Sequence, residues 1–188
     1  LRRFEVPVLA AGARPIRLLP VTDLHIIPEK ADKLEWVRDL ARLELPFVVN
    51  TGDTLSSAEA IPSVLHALEP LFAFPGCCVP GNNDYFPPTR KNPIRYFFPQ
   101  RARVHGPMLP WPDLAAAMTA AGWTDLTHAR VVLPAGSGKV ALAGTDDPHL
   151  FRARYAQIAG PADPDATVRI GVTHSPEPYL LRAFARDR

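Results

Sequence analysis

Asp23 and His25 stand two residues apart at the end of the apolar run Ile16-Arg17-Leu18-Leu19-Pro20-Val21. In an extended chain, residues i and i+2 turn to one side. The pair is therefore expected to face a single point just past the carboxyl end of a strand. A carboxylate beside an imidazole is a mixed O/N donor set suited to Mn, Fe or Zn. Further along, Asp53 follows Gly52, Asn82-Asn83-Asp84 follows Gly81, and His174 closes the run Val168 to Thr173. Taken singly, Asp53 also fits a turn or a helix cap, Asn82–Asp84 a polar turn, and His174 a satisfied core histidine. Taken together, four apolar runs end in ligand-type residues, and two have a glycine that lets the backbone bend sharply.

These residues need a scaffold that brings strand ends together. Candidate strands at 18–22, 47–50 and 76–79 alternate with candidate helices at 31–43 and near 61–68. Leu34, Val37, Leu40 and Ala41 form an apolar stripe on the first helix, and Ile61, Val64, Leu65 and Leu68 on the second. Pro46 is read as the end of the first helix. Ser56 and Glu59 have the spacing of a capping box. Strands alternating with helices imply a parallel sheet, whose ligands sit at the carboxyl edge. Phe4-Glu5-Val6-Pro7-Val8 reads as a short edge strand. The proline-rich stretch from about 85 to 127 reads as a lid or wall carrying one helix, Asp113 to Ala121, stopped by Gly122. Residues 130–133 and 139–143 read as a hairpin, followed by a helix near 150–158 and a closing helix from about Glu177.

The 188 residues suit a single domain. A net charge of +2 makes no case for a nucleic-acid partner. Proline, at 22 residues, is about double its usual share of ~5% and falls mostly between elements, where it stiffens loops. Cys77 and Cys78 are neighbours that would point to opposite faces of a strand, so no disulfide is expected and a reducing compartment is favoured. No apolar run reaches the ~20 residues of a membrane helix. A cytoplasmic or membrane-peripheral location is expected, with membrane association left open.

Asp23-x-His25, Gly52-Asp53, Gly81-Asn82-Asn83-Asp84 and His174, in that order over about residues 17–175, resemble the motifs of the calcineurin-like metallophosphoesterases. The resemblance implies a four-layer α/β/β/α sandwich, with residues 1–188 as one domain and a dinuclear centre that hydrolyses small phosphate esters. It implies two divalent transition metal ions (Mn, Fe or Zn). Asp23 and His25 would bind the first, Asp53 would bridge both, and Asn82 and His174 would bind the second. Which of Asn82 and Asn83 reaches the metal stays open.

Two departures follow from the same likeness. Asn83 occupies the place of a catalytic histidine, and an amide donates a hydrogen bond but gives up no proton at neutral pH. Diesters with acidic leaving groups are therefore expected to outpace alkyl monoesters. The family's downstream Gly-His-x-His stretch is absent, so the domain is expected to be incomplete at its C-terminus. The alternative function is a non-catalytic interaction module on the same fold, with a partner protein docking on the proline-rich segment.

Weaker signals receive structural readings. Gly136–Val140 imitates a phosphate loop but has Leu133 and Val140 where a glycine and a hydroxyl are required. Asp146, Asp147 and His149 could support the site from behind its ligands or contact substrate, but read first as an Asx turn closed by Pro148. Arg90, Lys91, Arg95, Arg101 and Arg103 read as a solvated basic surface, and Trp36, Trp111 and Trp123 as packing residues.

Overall fold

A computed structural model describes residues 1–43, 47–88, 106–136 and 138–187. Four strands form one sheet in sequence order: β1 (Leu19–Val21), β2 (Val48–Asn50), β3 (Gly76–Cys78) and β4 (Thr124–Asp125), all parallel. Val21 pairs with Asn50, Asn50 with Cys78 and Cys78 with Asp125, so the strands finish level at their carboxyl ends. A second sheet joins β5 (Ala129–Ala135) antiparallel to β6 (Gly138–Gly144), and β6 parallel to β7 (Val168–Val172). Gly144 pairs with Val172, so β6 and β7 also end level.

Helices α1 (Ala31–Asp39), α2 (Ile61–Leu68) and α4 (Trp111–Ala120) cover the outer face of the first sheet. Val37, Val64, Leu68, Leu114 and Met118 are fully buried there with Val48 and Cys78. Val49, Cys77 and Val79 face the other way, against Val140, Leu142 and Val172 of the second sheet. Each such aliphatic side chain contributes about 1.5–3 kcal/mol on burial. On the far side of the second sheet, Phe184 of α5 (Pro178–Arg186) packs on Gly171 of β7. The layers run helices, sheet, sheet, helix, and the chain is an α/β sandwich. The adjacent cysteines are free and divided between the two cores, as strand alternation requires. Burial pushes the Cys77 thiol up to about 12.

Several expectations are corrected. Phe4–Val8 joins no strand among the described residues, and Phe4, Val6 and Val8 lie exposed. Pro7 removes a ladder donor, and no burial offsets the entropy of ordering the segment. The helix expected near 150–158 is two separate 3-10 turns, Pro148–Leu150 and Tyr155–Gln157. Asp147 caps the first turn through the His149 N–H, and left-handed Phe151 (φ 56°) ends it. The capping box expected from Ser56 and Glu59 does not form, and neither Ser57 nor Ala60 makes a side-chain cap bond. Ser57 precedes the 3-10 turn that opens the second helix and pairs with Glu59, while Ser56 Oγ donates to the Ile26 carbonyl.

In the described parts of the supposed lid, α4 begins at Trp111, ahead of Asp113, and packs into the helical core. The chain then adds β4 to the sheet. Trp111 and Trp123 are buried, whereas Trp36 is 48% exposed. Pro46, the five-residue basic run, Ser137 and Arg188 lie outside the described residues. No helix among the described residues is long and apolar enough to cross a membrane.

Candidate metal centre

The candidate residues meet where the carboxyl edges of the two sheets face each other. Beyond β1 and β2 the chains continue side by side without regular strand geometry. Asp23 N donates to Gly52 O (3.0 Å), His25 N to Asp53 O (2.9 Å) and Ile26 N to Thr54 O (2.9 Å). Asp23, His25 and Asp53 all adopt left-handed backbone conformations, with φ of 53°, 40° and 54°. Strand alternation is therefore not what pairs Asp23 with His25. Left-handed turns, held by this backbone ladder, swing both side chains toward Asp53. Such conformations are unfavourable for side-chain-bearing residues and concentrate at functional sites.

Gly52 and Gly81 allow the loops to touch. A Cβ on Gly52, itself at φ +94°, would fall 2.2 Å from the Gly81 nitrogen. A Cβ on Gly81 would fall 2.2 Å from Asp53 Oδ1 and 2.8 Å from His174 Cε1. Glycine is required at both places because other backbone and ligand-type atoms already occupy that space.

Asp84 locks this arrangement. Its carboxylate is fully buried and accepts four backbone N–H bonds: Thr54 (2.8 Å) and Leu55 (2.9 Å) on Oδ1, Asp53 (2.8 Å) and Gly81 (2.9 Å) on Oδ2. Burial pushes its carboxyl up to about 6, against the pull of those amides. The sequence reading treated Asp84 as part of a polar turn and missed this role. Gly-x-x-Asp spacing at the start of the single helical turn α3 (Asn82–Tyr85) signals the Gly81 contact. The other three bonds span 29 to 31 residues and have no local signature.

Asp53 is the focus of the site. Its Oδ1 accepts the Asn83 backbone N–H at 2.7 Å. Its Oδ2 lies 3.7 Å from His25 Nε2 and 3.6 Å from His174 Nε2. Asp23 Oδ1 is 3.9 Å from His25 Nε2. Ligand atoms of Asp23, Asp53 and His174 all fall within 4.8 Å of one another. The Asn82 amide turns toward Asn83, donating to its Oδ1, so Asn83 meets Asp53 through its backbone.

The donor set fits a divalent cation. His174 Nδ1 lies 2.9 Å from the Thr51 carbonyl, which can only accept, so Nδ1 carries a proton and in the neutral ring the Nε2 lone pair faces Asp53. A lone pair opposite a carboxylate oxygen calls for a positive charge between them. Fixing the outer imidazole nitrogen on a carbonyl is how proteins orient metal-binding histidines. Donors ~2.1 Å from a shared ion are about 3.0–3.5 Å apart, so the Asp53 spacings to His25 and His174, 3.7 and 3.6 Å, need to close by only a few tenths of an ångström.

Beside this group the turn after β6, read from sequence first as an Asx turn, supplies a network. The turn exists: Asp147 Oδ1 accepts the His149 N–H at 3.2 Å. Asp146 Oδ2 also accepts from Tyr85 Oη (3.0 Å) and Arg152 Nε (3.2 Å), with the Arg152 guanidinium 4.2 Å above the Tyr85 ring. Partners 61 residues apart leave no mark in local sequence.

A sequence model of the calcineurin-like phosphoesterases matches residues 16–187. The chain belongs to that family. Among solved structures it is similar to a phosphopantetheinyl hydrolase from Mycobacterium tuberculosis, at 17% identity and a TM-score of 0.42. The aligned region covers 68% of this chain and 41% of that one, so it spans about two-fifths of the hydrolase. No curated protein matches the chain.

Proposed function

We propose that this chain carries the centre of a metal-dependent phosphoesterase that prefers diesters with acidic leaving groups. Asp23, His25 and Asp53 would hold one divalent transition metal ion, and Asp53, Asn82 and His174 a second. The carrying observation is Asp53 Oδ2, 3.7 Å from the His25 Nε2 and 3.6 Å from the His174 Nε2. Two bound ions would supply a nucleophile from water at neutral pH and positive charge for the phosphoryl oxygens.

The chain's own residues divide the remaining work. Asp53 would place one negative charge between the two cations, which would lower their mutual repulsion. Asp84 and the Asn83 N–H keep that carboxylate from rotating away. His174 is held with its lone pair inward by Thr51 O. The Asn83 amide can donate a hydrogen bond to a phosphoryl or leaving-group oxygen but cannot protonate it. Leaving groups that depart as stable anions need no such proton, which supports the preference for aryl diesters.

The test is hydrolysis of an aryl phosphodiester with added Mn²⁺, alongside elemental analysis of the protein. The wild type is expected to bind metal and turn over, and Asp53→Asn to lose about 10³-fold or more in rate with its metal. An alkyl monoester should react far more slowly. A wild type that binds no transition metal, or Asp53→Asn at full rate, contradicts the assignment. Equal rates on both substrates contradict the diester preference.

A further inference from the structure

Asp146 and Asp147 are adjacent, both buried, and differently satisfied. Asp146 has Oδ1 on the Asp147 N–H (2.7 Å) and Oδ2 on Tyr85 and Arg152. Asp147 is fully buried, yet only Oδ1 is engaged, and its Oδ2 has no hydrogen-bond partner among the described residues. Thr145 Oγ1, two residues earlier at the same strand end, is also fully buried and unpartnered. Buried polar atoms are nearly always bonded, and an open carboxylate oxygen is among the costlier exceptions. Thr145 N donates to the Val172 carbonyl (3.1 Å) and the His149 and His174 rings lie 6.5 Å apart, so the turn that carries Asp147 sits beside His174.

We propose that Asp147 is an outer carboxylate of the metal centre, its free Oδ2 accepting a hydrogen bond from the hydration shell of a divalent cation held beside His174. Asp147 lies outside the group whose ligand atoms sit within 4.8 Å of one another, so it acts through that shell and not as a direct ligand. In the metal-free protein the open oxygen is a liability, and it becomes useful only when a cation and its water arrive. This makes Asp147 a positioning residue, and it rests on the metal-dependent reading above.

The consequence is a split between stability and binding that a merely structural carboxylate would not produce. Mn²⁺ binding to the full chain is measured by titration calorimetry for wild type, Asp147→Asn and Asp147→Ser, with melting of the metal-free proteins in parallel. Both variants remove the charge, and both keep an oxygen able to accept the His149 N–H. Mn²⁺ affinity is expected to fall about tenfold in each, as for other residues that support metal ligands indirectly. The metal-free melting temperature is expected to stay level or rise. Affinity within twofold of wild type in either folded variant overturns the proposal, and so does failure of both to fold, which assigns Asp147 to the core. A wild type that binds no Mn²⁺ overturns this proposal and the hydrolase reading together. Metal loss in Asp53→Asn with normal affinity in the Asp147 variants overturns this one alone.

Discussion

The two imidazoles flanking Asp53 are held in contrasting ways. On one side, His174 is 9% exposed at its side chain, Asp53 8%, and both are fixed: Thr51 O on Nδ1, Asn83 N on Oδ1, Asp84 on the Asp53 backbone. On the other, the Asp23 side chain is 56% exposed and His25 33%, and His25 Nδ1 is buried with no partner among the described residues. The first half is preorganised. In the second, an ion bound there would have to draw Asp23 and His25 together. Since ordering side chains on binding costs affinity, the two halves should bind metal with unequal strength, the His174 half first.

Four substitutions would break or sharpen this contrast. The largest effect is expected from Asp84→Asn, which turns an amide NH₂ against two backbone N–H donors in a fully buried place. Stability should fall by about 2–4 kcal/mol, read from urea unfolding. An unchanged midpoint would show that Asp84 does not hold the buried half. Next, His174→Gln should weaken the first Mn²⁺ bound by about 100-fold, while His25→Gln should spare it and weaken only the second, by about tenfold. The reverse order in calorimetric titrations would invert the assignment of halves. The smallest effect belongs to Thr22→Val, which removes the 2.5 Å Thr22 Oγ1–Asp23 Oδ2 hydrogen bond on the exposed side. Less than about 0.5 kcal/mol in stability is expected, because water replaces the lost donor.

The same contrast marks what sequence could reveal. Asp23, Asp53 and His174 were legible because each ends an apolar run, and the level finish of parallel strands brings such ends to one edge. Strand alternation does not account for the pairing of Asp23 with His25, since both lie beyond β1 in left-handed turns that no alternation rule describes. Cys77 and Cys78 show the rule working where the chain is a strand. Asp84, Tyr85 and Arg152 stayed hidden because their partners are distant in sequence, and a polar residue after a glycine reads locally as a turn. The two-residue strand β4 is too short to carry a pattern. Residues 150–158 had helical composition, but Asp147 and Phe151 break the segment into single turns.

The most direct test is anomalous scattering from crystals of the protein equilibrated with Mn²⁺, collected at the manganese edge. The account predicts two peaks, one on each side of Asp53 Oδ2, one contacting His25 Nε2 and the other His174 Nε2, about 3.5–4 Å apart. No peak between these residues, or a single ion that leaves either imidazole uncoordinated at saturating metal, would contradict it.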